Sequence, residues 1–215
     1  MNQLLEIFQN KITLRSDKWL PYFDVYETHL AKFRNQQPLF VEVGVQYGGS
    51  IQAWIEYFGP GADIYGIDLQ PMTREIDGAT ILVGDQGDPK FWDKFLSSHD
   101  GIDIFVDDGS HVTSHQILTF NRVWPHIKPG GVYICEDTHT SYWPEYSGGY
   151  KSPCSFVEYS KNILDYLHIE HFRDTKPNDF LKEIAKDLGS IHFYNSQVVF
   201  TKGKPEFRRV FFNDF

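Results

Sequence analysis

A chain of 215 residues is long enough to bury its own core without metal or disulfide staples and short enough for one compact domain. With 41% hydrophobic and 23% charged residues it has a globular composition, and a net charge of −9 argues against nucleic acid or an anionic membrane as partner, since both select a positive face. Cys135 and Cys154 stand in unrelated contexts, offering neither a disulfide framework nor a Cys-x-x-Cys metal site, so a reducing cytoplasm is the expected compartment.

Residues 1–15 lack the basic and apolar regions of an export signal, and no run of about 18 apolar residues marks a membrane span. Residues 17–34, "DKWLPYFDVYETHLAKFR", space Trp19, Phe23, Tyr26, Leu30 and Phe33 as an amphipathic helix, with Pro21 tolerated near its start. The segment 1–38 is expected to form a helical cap. "LFVEVGV" (39–45) predicts a strand, and "GGSIQAWIEYF" regains helical spacing after a tight glycine turn. Further strands are expected at 63–69, 79–85 and 102–108, with helical stretches at "PKFWDKFLSS" and "VTSHQILTFNRVWPHI". "PGG" is expected to punctuate before a fifth strand, "VYICED" (132–137). The Gly-, Pro- and Ser-rich stretch 138–155 is too long for a plain connector and predicts a functional loop or lid. Helical stretches near 156–168 and in "FLKEIAKDLG", joined by the polar "RDTKPND", precede "SIHFYNSQVVFTKG", an antiparallel hairpin. The fold class is therefore α/β: a Rossmann-like, doubly wound, mostly parallel seven-stranded sheet ending in that hairpin.

Two constellations carry chemistry. Glu42 at a strand end, glycines at 44, 48 and 49, and Asp68 at the next strand end suit a nucleoside-containing cofactor, because ligands of open α/β sheets bind beyond the carboxyl ends of strands. "GDQGD" supplies Asp85 and Gln86 at a third strand end. The second is "IFVDDGSH" with "YICED": if the two strands are neighbours, the acids Asp107, Asp108, Glu136 and Asp137 converge and need a cation or proton between them. An oxygen-rich, thiolate-free cluster suits Mg²⁺. His111, three residues after Asp108 at the expected start of the next helix, is placed to act as general base.

Structural readings stand beside these. Asp107 equally suits a helix cap with Ser110. His115, one turn past His111, reads as packing, because a zinc pair lacks a third ligand. His139 suits a structural hydrogen bond as well as a catalytic role. Cys135 reads as core and Asp103 as a turn residue.

"KWLPYFDVYETHL", "FVEVGVQYGGSIQAWIEYFGPGADIYGIDL", "FVDDGSH", "PGGVYICEDTHTSYW" and "IHFYNSQVVF" together resemble the class I S-adenosylmethionine-dependent methyltransferases. Within them the chain is similar to the metal-dependent macrocin and mycinamicin sugar O-methyltransferase group and its cephalosporin-hydroxylase-like relatives. The resemblance covers about residues 17–202, implying a methyltransferase domain over 39–215. It implies Asp108, Glu136 and Asp137 as Mg²⁺ ligands and His111 as the base. It further implies Glu42, Gly44 and Gly48 at the methionine end of S-adenosylmethionine, Asp68 at the ribose and Asp85 and Gln86 at the adenine, with Ser50 and Asp107 as further cofactor contacts. A small-molecule or sugar hydroxyl is the implied acceptor, and a homo-oligomer the implied state. The chain departs from the family in being short, without the extra N-terminal domain of some relatives, and in carrying Gln46-Tyr47 in the glycine turn. A cofactor-binding module without methyl transfer, or an NAD-linked oxidoreductase, would keep the same fold.

Overall fold

Each β-branched or aromatic run of the chain becomes a strand of one sheet, and each amphipathic stretch between them a covering helix. The computed structural model describes residues 2–72, 75–173 and 178–203. The strands are β1 (Leu39–Val43), β2 (Asp63–Asp68), β3 (Ala79–Val83), β4 (Ile102–Asp107), β5 (Ile127–Cys135), β6 (Leu188–Tyr194) and β7 (Gln197–Lys202). The α-helices are α1 (Gln3–Asn10), α2 (Leu20–Leu30), α3 (Gly49–Phe58), α4 (Pro89–Leu96), α5 (Thr113–Val123), α6 (Phe156–Tyr166) and α7 (Asp179–Ala185). The sheet order is β3-β2-β1-β4-β5-β7-β6, with β7 antiparallel to both its neighbours and the other pairings parallel. The α/β fold with its terminal hairpin follows the sequence pattern.

Alternation along the strands sends neighbouring residues to opposite faces. Phe40, Ile104, Val106 and Ile134 pack with Leu4, Tyr22, Tyr26, Trp54 and Phe58 under α1, α2 and α3. Val41, Phe105, Tyr133 and Phe200 pack with Trp92, Phe120 and Phe156 under α4, α5 and α6. Both faces of the sheet are covered, as a parallel sheet requires. Local signals set the helix starts: Pro21 opens α2, Asp88 caps α4 ahead of Pro89, and Ser155 accepts from Glu158 N in a Ser-x-x-Glu cap on α6.

Several details differ from expectation. Helix α1 falls inside the expected helical cap but without a stripe that announced it; it is capped by Asn2 and buries Leu4 and Ile7. Strand β5 starts at Ile127, so "PGG" lies inside it. The glycines are absorbed by a register shift against β4, where Ile102 faces Ile127 but Ile104 faces Val132. Asp103 belongs to β4 rather than a turn, and its Oδ2 accepts from Leu39 N at 2.9 Å and Lys128 Nζ at 2.8 Å. The loop 138–155 contains two short 3₁₀ turns, Thr138–Tyr142 and Pro144–Tyr146. The expected connection "RDTKPND" falls mainly on 174–177 and the end of the chain on 204–215, both outside the described residues.

One consequence of register positions the site. Val43 pairs with Asp107, and Asp107 with Cys135, so Gly44, Asp108 and Glu136 each follow an in-register residue on three adjacent strands. Since neighbouring strands lie about 4.8 Å apart, these three positions form one row at the carboxyl edge of the sheet. The order reverses between β1 and β4, the switch point where open α/β sheets hold ligands.

Candidate active site

Gly44 ends β1 with φ +93°, and a Cβ there would lie 1.9 Å from the carbonyl oxygen of Asp108. Only glycine lets the β1 turn approach the end of β4 this closely. The acids on either side are thereby drawn together.

At the centre of the row stands Lys18, a residue the sequence reading did not single out. Its Nζ donates to Glu42 Oε1 at 3.2 Å, Asp108 Oδ2 at 2.7 Å and Glu136 Oε2 at 2.8 Å, and its side chain is 3% exposed. Burial opposes the ammonium, but Asp108, Glu136, Tyr26 and Glu42 together outweigh it and hold the Lys18 pKa well above its usual value. Glu42 is fully buried and also accepts from Ser50 Oγ at 2.6 Å and Trp54 Nε1 at 3.2 Å. Glu136 is equally buried. Its Oε1 takes the Tyr26 hydroxyl and Gln197 Nε2, so both of its oxygens are engaged.

Outside this buried group lies a second, more open one. Asp108, His111 and Asp137 bring one ligand atom each within 4.8 Å of one another, with side chains 20%, 23% and 26% exposed. Glu136, expected among the ligands, lies behind this trio on the Lys18 side. His111 precedes α5 rather than starting it. It is left-handed at φ 57°, as is Asp137 at φ 51°, and each non-glycine outlier of this kind stores strain that surrounding contacts must hold. His111 Nε2 lies 3.5 Å from Asp137 Oδ2, and its Nδ1 is buried with no hydrogen-bond partner among the described residues. Burial pushes the imidazole below its usual pKa against the opposing pull of Asp137 and Asp107, which keeps it neutral and able to accept a proton near pH 7. Tyr22 orients Asp137, its hydroxyl donating to Oδ1 at 2.6 Å beside Ser196 Oγ at 2.8 Å.

The donor chemistry fits a divalent cation. Burial pushes the carboxyls of Asp108 and Glu136 above their usual range despite Lys18. Glu42, Asp108, Glu136 and Asp137 outnumber the single ammonium among them. Hard oxygen donors with no thiolate suit Mg²⁺.

Beside the trio is a cleft of about 280 Å³ lined by Gly44, Asp68, Leu69, Asp85, Gln86, Ser110 and His115. Asp68 accepts from Val45 N, Gln46 N and Gln70 N, each at 2.9 Å, leaving one lone-pair direction of its carboxylate for a ligand. Asp85 Oδ1 takes Gly87 N at 2.7 Å. The Gln86 side chain is spent internally, donating to Asp107 Oδ1 at 2.6 Å and Thr119 Oγ1 at 3.1 Å and accepting from Ser110 N at 2.7 Å. Asp107 is buried beneath the cleft, held by Gln86 and by the Tyr133 hydroxyl, and the residue before α5 is Val112, so Asp107 caps no helix. Gly48 caps α3 in a left-handed conformation. His115, read from sequence as packing, lines the cleft with its Nδ1 on Ser110 Oγ at 3.0 Å.

Aromatic rings border the open side. Trp19, Tyr142 and Trp143 are 45%, 46% and 47% exposed, and Trp19 stacks on His139 with centroids 4.9 Å apart. His139 Nδ1 also sits 2.6 Å from Ser196 Oγ, joining the network that reaches Asp137. Lys18, Tyr22, Tyr26 and Trp19 all come from the "DKWLPYFDVY" segment. The helical stripe already marked Trp19 and Tyr26, while for Lys18 the one sequence signal was a lysine abutting an apolar helix start.

Residues 41–138 match a family described as a methyltransferase domain. The chain is 34% identical over 195 residues to an 8-demethyl-8-α-L-rhamnosyl tetracenomycin-C 2'-O-methyltransferase of Streptomyces olivaceus, covering 83% of this chain and 50% of that one. It is 32% identical over 194 residues to a mycinamicin VI 2''-O-methyltransferase of Micromonospora griseorubida, covering 84% and 48%. Among solved structures it is similar to the MycE methyltransferase from the mycinamycin pathway in complex with Mg and SAH, with a TM-score of 0.82 at 27% identity over 94% of this chain and 54% of that one. The chain thus spans about half the length of the relatives it matches. The sheet agrees with the fold likeness, and residues 41–138 belong to the methyltransferase-domain family they match.

Proposed function

We propose that this chain transfers the methyl group of S-adenosylmethionine to a hydroxyl of a sugar or glycosylated small molecule. The observation that carries the reading is the trio Asp108, His111 and Asp137, open to solvent at one side and adjoining the cleft at the switch point. Asp108 and Asp137 would hold Mg²⁺, with Glu136 as the third acid behind them, and the cleft would hold the nucleoside, with Asp68 at the ribose and Asp85 at the adenine. Bound there, Mg²⁺ supplies Lewis-acid polarisation of the acceptor hydroxyl, and S-adenosylmethionine supplies the methyl group.

The chain's own residues do the rest. His111 Nε2 takes the hydroxyl proton, the Asp137 carboxylate 3.5 Å away stabilises the imidazolium that forms, and Tyr22 orients Asp137. Lys18, Ser50 and Trp54 fix Glu42 at the end of β1, beside the Gly44 turn. The exposed faces of Trp19, Tyr142 and Trp143 offer a stacking surface for a sugar ring. The solved MycE complex with Mg, SAH and mycinamycin VI is similar to this chain with a TM-score of 0.81, which supports a glycosylated acceptor. Cys135 and Cys154 are both free thiols, which suits a cytoplasmic setting, and a homo-oligomeric state rests on the resemblance alone.

Calorimetric titration with S-adenosylhomocysteine and with NAD, each with and without Mg²⁺, tests the reading. Binding of S-adenosylhomocysteine alone supports it, and binding of NAD in its place overturns it.

A further inference from the structure

The acid cluster has two halves, and one side chain divides them. On the inner side Glu42 and Glu136 are fully buried and every one of their oxygens is hydrogen bonded, to Lys18, Ser50, Trp54, Tyr26 or Gln197. On the outer side Asp108 and Asp137 are partly exposed, and Asp108 gives only Oδ2 to Lys18. Three carboxylates at this distance could not all be ionised without a cation among them. An ammonium that is 3% exposed, with all three acceptors at 2.7–3.2 Å, has no solvent shell left to share the load.

We propose that Lys18 is a resident cation of the active site. It offsets one charge of the inner acids, so that with a divalent ion at Asp108 and Asp137 the four-acid cluster would be left only one charge short of neutral, and it sets how tightly that ion is held. The inference rests on the Mg²⁺ reading above and extends it to a residue outside the strand-end motifs. Lys18 is here a positioning residue. It fixes Glu42 against Asp108 and Glu136, and its charge lowers the pull of the cluster on a second cation.

The consequence has a definite sign. Lys18→Met keeps much of the stem and removes the charge, leaving buried carboxylates uncompensated. Its unfolding midpoint in EDTA should fall by about 10 °C. Mg²⁺ should restore more of the midpoint than it adds to the wild type, and Mg²⁺ affinity by calorimetry should rise by at least about tenfold, because a repelling charge near the ion is gone. A residue that merely packed would lower the midpoint without tightening Mg²⁺. Lys18→Arg, which keeps the charge, should stay close to the wild type in Mg²⁺ affinity.

The test is Mg²⁺ calorimetry and thermal unfolding of the full chain as wild type, K18M, K18R and the K18M/E42Q pair, the last removing one acid with the cation so that a folded charge-balanced variant is available. Tighter Mg²⁺ binding in K18M, with stability partly recovered in K18M/E42Q, supports the proposal. Mg²⁺ binding by K18M alone and not by the wild type also supports it, while overturning the Mg²⁺ reading for the native chain. Equal or weaker Mg²⁺ binding in K18M than in a wild type that does bind overturns the proposal and leaves that reading intact. Absence of binding in every protein overturns both.

Discussion

His111 and Asp137 are pinned by the same hydroxyl: Thr140 Oγ1 lies 3.0 Å from the carbonyl oxygen of one and 2.9 Å from that of the other. Both backbones are left-handed, so this buried threonine holds two strained residues whose side chains meet 3.5 Å apart. Thr140→Val preserves shape and removes the pin. It should cost about 1 kcal/mol of stability, measured by denaturant unfolding. Turnover should fall further than that loss explains, because the base and the acid that stabilises its protonated form would drift apart.

His111 is the only imidazole of the trio. His111→Ala should lower turnover by about 10²- to 10⁴-fold while S-adenosylhomocysteine affinity stays within about twofold, read by steady-state kinetics and calorimetry. Turnover at the wild-type rate would remove His111 from the mechanism.

Asp108→Asn and Asp137→Asn each keep their shape and delete one anionic donor. Mg²⁺ affinity should drop at least about tenfold in each, as even outer-shell changes at metal sites cost 10- to 100-fold. Unchanged affinity in Asp137→Asn would move the ion elsewhere.

Gly44→Ala should be among the most damaging single changes, because its methyl group would collide with the backbone of Asp108 at a φ of +93°. We expect loss of more than about 3 kcal/mol, or an insoluble product, by thermal unfolding of the purified variant.

Away from the site, His29 is lowered to about 4, chiefly by burial and then by His192 and Lys32, and its Nε2 meets the Tyr194 hydroxyl at 2.9 Å. The unfolded chain, with an ordinary histidine near 6.5, binds a proton between pH 6.5 and about 4 that the folded chain does not. Stability therefore falls as pH drops through that window, by an order of 2 kcal/mol from this residue. His29→Gln should flatten that part of a stability-versus-pH curve, and an unaltered slope would assign it to other groups.

The sheet was legible because its signal is local. The runs "FVEVGV", "IDIFVDD" and "VYICED" carry their own β-branched patterning, and the acids ending the last two fall side by side once consecutive pairing is assumed, whereas the β1–β4 neighbourhood is a crossover that no local pattern encodes. Lys18 was not legible, since 24 to 118 residues separate it from its three acceptors and no short-range spacing encodes that contact. The packing expected of His115 lies in its contacts with Gly87 and Ser110 rather than in its i, i+4 relation to His111, and the cleft it borders is built by strand-end loops distant in sequence. The internal role of Gln86 was hidden likewise, because its partners Asp107 and Thr119 belong to other elements.

The most direct measurement is transfer of a labelled methyl group from S-adenosylmethionine to a panel of glycosylated hydroxyl compounds, with Mg²⁺ and with EDTA, for the wild type and Asp137→Asn. Label should reach a sugar hydroxyl in Mg²⁺, disappear in EDTA and fall sharply in the variant. Transfer that proceeds equally in EDTA, or in Asp137→Asn at the wild-type rate, would contradict a metal-assisted methyl transfer at Asp108, His111 and Asp137.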